Sequence, residues 1–249
     1  IKLNRTMTMF ENKLKILGLG AHPDDVELGA AGTIAKHSAQ GDKCGIVDFT
    51  KGELGTRGTP ELRLKEADAA GKVLGISARE NLGLRDGYVT NDEESQLKVI
   101  QMIRKYQPEI LLINAPNDRH PDHAAASELS VRASFHSGLR KIETFDNGAL
   151  QEPWRPKAVY HYIQYYDLEP DFIVDVTGYM DLKIESIMAY GSQFYDPNSK
   201  EPKTVISSEG FMKSLESRAE EWGRQIYRKH GEGFIKERRL GVELLGDLI

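Results

Sequence analysis

The feature that most constrains this fold is an apolar run that leads directly into a cluster of polar residues. Residues 14–19 read Leu-Lys-Ile-Leu-Gly-Leu, which has the length and composition of a buried strand. One imidazole and two carboxylates follow at once, at His22, Asp24 and Asp25, and residues 28–39 then read as a helix of small and apolar residues. Open α/β folds bind their ligands at such turns, at the carboxyl ends of strands. The sequence therefore predicts a functional turn after the first strand.

The rest of the chain alternates in the same way between strand-like and helix-like segments. The predicted strands are residues 43–50, 80–84, 109–114, 158–164 and 172–176, and the predicted helices are residues 60–74, 92–106, 121–136, 178–189 and 208–229. This alternation is typical of a parallel sheet between two layers of helices. We therefore expect an α/β fold, a Rossmann-like three-layer sandwich with a mostly parallel sheet and a C-terminal helical extension. One domain is expected over residues 1–249, with residues 1–12 as a flexible leader.

Composition excludes several classes of protein. The net charge of -5 comes without a basic stripe, so nucleic acid is not an expected partner. No apolar run approaches the ~18 residues that span a membrane, so no membrane partner is expected either. The single cysteine, Cys44, cannot form an internal disulfide, which fits a cytoplasmic protein. Its place beside an apolar strand predicts a buried structural thiol.

The glycines at the end of the first strand raise the alternative of a dinucleotide-binding turn. That fingerprint needs Gly18 and Gly20 to be followed by a third glycine at position 23. Position 23 is Pro23, and two acidic residues stand where a pyrophosphate would bind. We therefore exclude this interpretation.

A metal site is the better interpretation, because a second polar turn follows another apolar strand. Residues 117–123 read Asn-Asp-Arg-His-Pro-Asp-His, which adds His123 to His22 and Asp25 of the first turn. Two imidazoles and one carboxylate are a usual ligand set of catalytic zinc. The same set suits Fe(II) oxygenases, but their sites usually lie in β-barrels, which the alternation of strands and helices does not favour.

Each of these residues also has an ordinary interpretation when taken alone. His22 is compatible with a loop histidine that binds no metal. Asp24 with Glu27 resembles a capping box, although the usual cap is Ser or Thr. Residues 120–123 are compatible with a solvated helix start. The pairing of two such turns after two apolar strands favours the metal site.

The two turns together resemble the motifs of the LmbE-like (PIG-L) family of zinc-dependent N-deacetylases. The motifs are Ala-His-Pro-Asp-Asp-Val-Glu-Leu-Gly at residues 21–29 and Arg-His-Pro-Asp-His at residues 119–123. The order of elements extends the resemblance over residues 13–245. Within the family the chain is most similar to bacterial deacetylases of N-acetylglucosaminyl malate in bacillithiol synthesis, and Glu-Gly-Phe at residues 232–234 adds to this likeness. One departure is Tyr190, where many relatives carry histidine.

The resemblance implies a catalytic apparatus around one metal ion. The implied ligands of Zn²⁺, with Fe²⁺ as the alternative in the cell, are His22, Asp25 and His123. Asp24 would be the general base that takes a proton from water. His120 would stabilise the developing oxyanion or protonate the amine, and Asp122 would orient His120 and keep it protonated.

The implied reaction is removal of acetate from an N-acetylglucosamine conjugate, with N-acetylglucosaminyl malate as the predicted substrate. The predicted substrate-binding residues are Arg57, Arg63, Arg119, Tyr190 and Gln193. An arginine can hold a malate carboxylate through paired hydrogen bonds. The alternatives are a chito-oligosaccharide or another amide as substrate, and a metal-binding protein without turnover. The family also implies a homo-oligomer, with the hexamer of relatives as one form.

Overall fold

A seven-stranded sheet organises residues 12–248, the part of the chain that the computed structural model describes. The strands are β1 (Ile16–Gly20), β2 (Cys44–Thr50), β3 (Ala78–Leu84), β4 (Ile110–Ile113), β5 (Phe145–Asp146), β6 (Ala149–Leu150), β7 (Ala158–Tyr162), β8 (Phe172–Asp175) and β9 (Gly231–Lys236). The sheet order is β3-β2-β1-β4-β7-β9-β8, and β5 with β6 forms a separate hairpin. All strands of the sheet run parallel except β9. The predicted leader lies outside the described residues except for Asn12.

Helices cover both faces of this sheet, which confirms the predicted α/β sandwich. They are α1 (Asp25–Ala39), α2 (Pro60–Val73), α3 (Glu93–Tyr106), α4 (Pro121–His136), α5 (Met180–Met188) and α6 (Glu209–Gln225). Leu17 of β1 joins one core cluster with Ile103 of α3, whereas Ile16 joins the other with Ile34 of α1. Because both faces are buried, the strand reads as an almost continuous apolar run. Among the helices of residues 12–248, none combines the length and apolar character needed to cross a membrane.

Two glycines allow α1 to lie very close to the sheet. A Cβ at Gly18 would lie 2.8 Å from Cγ1 of Val26, and one at Gly29 would overlap the ring of Tyr162. The hydroxyl of Tyr162 in turn donates to the carbonyl oxygen of Leu19 at 3.0 Å. These contacts fix the first polar turn relative to β1 and β7.

Sequence reasoning missed the short hairpin of β5 and β6 and, within the main sheet, strand β9. It lies between β7 and β8 and runs antiparallel to both, so the C-terminal extension is not purely helical. Its sequence, Gly-Glu-Gly-Phe-Ile-Lys, contains two glycines and two charged residues, which are poor indicators of a strand. The predicted helix before it ends at Gln225 rather than at Lys229.

Glu232 gives β9 a buried charge that joins three elements. Its carboxylate accepts hydrogen bonds from the backbone of Gly32 at 2.9 Å and of Thr33 at 2.7 Å, and from Nζ of Lys183 at 2.6 Å. Burial lowers the pKa of Lys183, while the charge of Glu232 opposes this shift. The pair therefore connects α1, α5 and β9 in the protein interior.

Glu232→Gln is expected to lower the free energy of unfolding by about 3 kcal/mol, because it leaves the buried charge of Lys183 without a carboxylate. Urea denaturation measures this change. The double variant Glu232→Gln with Lys183→Met should recover part of the loss, since it removes both charges. Glu209→Gln is the matched control, because its pair with Lys213 lies on the surface, and it should change stability little. A Glu232→Gln chain as stable as wild type would contradict this role.

Candidate active site and metal centre

The polar turns predicted from sequence meet at the carboxyl edge of the parallel strands. The first turn follows β1, and the second follows β4, which is the neighbour of β1 in the sheet. Further polar side chains reach the same point from beyond β3 and β7, at Asp86 and Gln164. This is the position at which open α/β sheets bind ligands.

Asp25 lies at the centre of the site and is almost completely buried. Its Oδ1 is 3.1 Å from Nε2 of His123, and its Oδ2 is 3.6 Å from Nδ1 of His22. Asn114 donates to Oδ2 at 3.1 Å, and Gln164 donates to Oδ1 at 2.9 Å. Although burial opposes ionisation, His123 and His22 hold the pKa of Asp25 well below its usual range. The structure thus brings the three predicted metal ligands together, with both imidazoles next to the carboxylate of Asp25.

Each of the two imidazoles has a second carboxylate behind it. Nε2 of His22 lies 3.1 Å from Oδ1 of Asp86 and 3.3 Å from Oδ2 of Asp122. Nδ1 of His123 lies 2.9 Å from Oδ2 of Asp118. Histidines that bind metals nearly always have such a partner on the other ring nitrogen, which fixes the ring and raises its basicity. The arrangement therefore fits a divalent cation at the inner nitrogens.

The charges around these imidazoles lead to the same conclusion. Despite burial, Asp25 and Asp118 raise the pKa of His123 to about 9. The pKa of His22 is also raised well above its usual value, because Asp122, Asp25 and Asp86 outweigh its burial. These raised pKa values favour the protonated form of both imidazoles, whose positive charge offsets that of the surrounding carboxylates. A divalent cation would replace those protons, and the donor set suits Zn²⁺ or Fe²⁺.

His120 completes the group of imidazoles. Its ring centroid is 4.6 Å from that of His22 and 5.3 Å from that of His123. Burial lowers the pKa of His120, and the charges of His22 and His123 lower it further. The only hydrogen bond of its ring within the described residues is accepted by Nδ1 from the backbone N–H of Asp122 at 3.2 Å.

The carboxylate of Asp122 does not orient His120 as expected. It accepts from the backbone N–H groups of Gly87 at 2.7 Å and Val89 at 3.3 Å, and it lies behind His22. The first turn of α4 directs this side chain toward the loop after β3, so it is the backbone of Asp122 that contacts His120. A catalytic role of Asp122 stays a prediction.

Asp24 occupies a strained position beside the ligand Asp25. Its φ of 116° lies in a region that residues other than glycine rarely adopt and that is found mainly at functional sites. Its carboxylate does not cap α1 but accepts from the guanidinium of Arg63 at 2.9 Å. Burial raises the pKa of Asp24 to about 7, although Arg63 opposes this shift. The capping-box alternative is therefore wrong, and its other member, Glu27, pairs with Arg79 instead.

These side chains lie in a cavity of about 600 Å³. Three of the predicted substrate-binding residues, Arg63, Arg119 and Gln193, line it. The guanidinium of Arg119 is stacked over the ring of Tyr165 at 5.0 Å. Part of the lining comes from the segment before α6 and the first turn of that helix, at Lys203, Thr204, Val205, Ile206 and Phe211.

Arg57 and Tyr190 do not line the cavity, contrary to expectation. Arg57 is buried and donates to Oγ of Ser199 at 2.7 Å, so it anchors the segment between α5 and α6. Tyr190 is fully buried, accepts from Arg79 at 2.7 Å and donates to Glu27 at 3.1 Å. Both residues are close in sequence to residues that line the cavity, but their own side chains point into the protein interior.

Sequence reasoning missed the residues that support the ligands. These are Asp86, Asn114, Asp118 and Gln164. Asn114 directly follows β4, whereas Asp86 and Gln164 each come two residues after a strand. The signal that finds these three is a polar residue placed just after any parallel strand, whereas Asp118 lies within the second polar turn itself.

Known proteins share this combination of fold and site. The family described as PIG-L, GlcNAc-PI de-N-acetylase, matches residues 17–134. Diacetylchitobiose deacetylase from Thermococcus kodakarensis is 30% identical over 195 residues, which cover 74% of this chain and 72% of that protein. Three further curated relatives are matched over only 52% to 59% of their length.

Two solved structures extend the likeness to nearly the whole chain. The conserved protein TT1542 from Thermus thermophilus is 34% identical with a TM-score of 0.81, covering 92% of this chain and 98% of that one. N,N'-diacetylchitobiose deacetylase from Pyrococcus horikoshii is 27% identical with a TM-score of 0.76, covering 97% and 91%.

Fold and site together define a metal-dependent amide hydrolase of the de-N-acetylase type. The chain belongs to the PIG-L family. This confirms the prediction of an enzyme, against the alternative of a metal-binding protein without turnover.

Proposed function

We propose that this enzyme removes acetate from an N-acetylglucosamine conjugate at a bound zinc ion, and that the conjugate is N-acetylglucosaminyl malate. The observation that carries the proposal is the position of Asp24. This carboxylate lies next to the ligand Asp25, points away from the helix it precedes, and lines a cavity of about 600 Å³. A cavity of this size accommodates a small sugar conjugate.

The chain supplies a base and a hydrogen-bond donor beside the ligand set. A divalent cation in the site would polarise the amide oxygen and lower the pKa of water. The carboxylate of Asp24, held by Arg63, accepts the proton of the water that attacks the carbonyl carbon. Asp24 passes this proton to the amine as the C–N bond breaks. Nδ1 of His120 accepts from a backbone N–H, so the ring carries its proton on Nε2, which has no hydrogen-bond partner among residues 12–248 and donates to the developing oxyanion. The products are acetate and a free glucosamine amine.

Positive charge in the cavity supports the malate conjugate as the substrate. Arg119 and Lys203 line the cavity, and neither forms an ion pair with a carboxylate among the described residues. A malate group carries two carboxylates, which need such partners. Both cations are exposed, so their charge is available to a ligand.

The enzyme is expected to prefer the malate conjugate over N-acetylglucosamine by at least about tenfold in kcat/KM, equal to ~1.4 kcal/mol. Arg119→Lys should reduce this preference and leave the slower reaction on the neutral sugar largely intact, because the planar pair of donors is lost. Arg155→Lys is the matched control, since its guanidinium also lies on a ring, that of Phe135, but outside the cavity. Equal rates on both substrates in the wild type would contradict the malate proposal.

A chito-oligosaccharide is the second candidate substrate. The Thermococcus and Pyrococcus relatives bear the name of diacetylchitobiose deacetylases. Tyr165 and Phe211 also line the cavity as stacked rings with centroids 6.2 Å apart, and they offer apolar surface to a second sugar ring. Faster amine release from diacetylchitobiose than from the malate conjugate would favour this candidate.

The remaining parts of the proposal concern the cellular setting of the enzyme. We retain the prediction of a cytoplasmic homo-oligomer, with the hexamer as one form. Sedimentation of the purified enzyme tests the assembly independently of substrate choice.

A further inference from the structure

A second group of potential metal ligands lies at the middle of α6 and just before β9. Glu216 and Glu220 are one helical turn apart, so both carboxylates project from the same face of the helix. His230 directly precedes β9 and comes close to them. One ligand atom from each of the three residues lies within 4.8 Å of the other two. None of these residues lines the cavity of the active site.

The imidazole of His230 is the independent observation that points to a ligand. Only 5% of this residue is exposed, yet neither ring nitrogen has a hydrogen-bond partner within residues 12–248. Buried polar side chains are nearly always hydrogen-bonded, so such an imidazole needs an explanation. The backbone of His230 is fixed, since its N–H donates to Oγ1 of Thr177 at 3.3 Å. The unpartnered ring thus extends from an anchored backbone and lies close to two carboxylates.

The two glutamates also lack a counter-charge. Neither Glu216 nor Glu220 forms an ion pair in the described part of the chain, whereas their neighbour Glu221 pairs with Arg224 at 2.6 Å. Like charges four residues apart on a helix repel each other. A cation between them would remove this repulsion and give the imidazole a partner.

We propose that Glu216, Glu220 and His230 bind a divalent transition-metal ion of the zinc class, separate from the ion of the active site. One imidazole and two carboxylates are donors that Zn²⁺ accepts in its tetrahedral sites, with the fourth position open to water. Such an ion connects α6 to the start of β9. Its role is structural, because α6 contributes Phe211 to the cavity wall and β9 carries the buried Glu232.

Zinc titration of the enzyme already loaded with its active-site metal tests this proposal. Equilibrium dialysis with elemental analysis should find a second Zn²⁺ per chain in the wild type. Glu220→Gln and His230→Gln should each weaken this binding by at least about tenfold. Loss of a residue that only hydrogen-bonds to a ligand already costs about that much metal affinity, and loss of a ligand itself should cost no less. Glu221→Gln is the matched control, since it removes the same charge one residue away and should leave the second zinc bound.

Thermal unfolding gives a second readout that does not depend on activity. Zinc added after the active site is saturated should raise the Tm of the wild type and of Glu221→Gln, but not that of Glu220→Gln. The side chain of Glu220 is exposed, so the fold of this variant should be unaffected. Zinc-edge anomalous diffraction should place the ion between the three side chains. A wild type that binds one zinc only would overturn the proposal. Second-site binding that survives in His230→Gln would also overturn it, because an acidic surface alone would then be responsible.

Discussion

Asp25→Ala is expected to lose its bound zinc and, with it, nearly all turnover. Asp25 contacts both His22 and His123, so its removal takes away one ligand and the contacts of that ligand with the other two. The loss of metal affinity should be at least about 100-fold, because even the loss of a partner behind a ligand costs about 10- to 100-fold. His22→Ala and His123→Ala should behave in the same way. Metal analysis of dialysed protein measures the effect.

Two comparisons make this result specific. Asp118→Asn, which changes the partner behind His123 and no predicted ligand, should give a smaller loss of affinity than Asp25→Ala. Asp42→Asn breaks another histidine–aspartate contact, with His37 at 2.7 Å, that lies outside the site, and it should retain full metal. The ligand assignment is wrong if a chain with all three ligands replaced keeps stoichiometric metal.

Asp24→Asn should retain the metal and lose turnover by roughly 10²-fold or more, because the amide cannot accept a proton from water. Asparagine is well suited to this test. It tolerates positive φ better than most residues, and its oxygen can still accept from Arg63, so the turn should keep its shape. Single-turnover kinetics on the metal-loaded variant separate the chemical step from binding. Near-normal rates would leave Asp24 with a purely structural role.

The meeting of the two polar turns was predictable because two of the strongest signals in the sequence come from adjacent strands, whereas their role as metal ligands stays a prediction. The apolar runs before His22 and His123 become β1 and β4, which pair directly in the sheet. The carboxyl ends of parallel neighbours lie side by side, so the two turns had to meet. No knowledge of the loops was needed for this step.

The side-chain directions at the edge of the site were not predictable in this way. Arg57 and Tyr190 lie in segments whose path depends on long-range packing, and both turn into the interior. Asp122 lies on the expected turn, but its carboxylate accepts a hydrogen bond from the loop after β3. The sequence does not reveal the position of β3 in the sheet, so this contact was not predictable. A motif therefore fixes which residues reach the site, whereas tertiary contacts decide what each of them touches.

The position of β9 has a consequence for how the chain folds during synthesis. Among the strands of residues 12–248, β9 is the last in sequence but the second from the edge of the sheet, and within these residues β8 pairs only with β9. On the ribosome, β8 therefore emerges without a pairing partner, and more than 50 residues pass before residues 231–236 arrive. The five strands β1, β2, β3, β4 and β7 can form their part of the sheet as the chain grows, but the sheet is complete only after translation of β9. Its completion is a late event that joins distant parts of the chain, which is the kind of step that slows folding and leaves a strand edge open to aggregation.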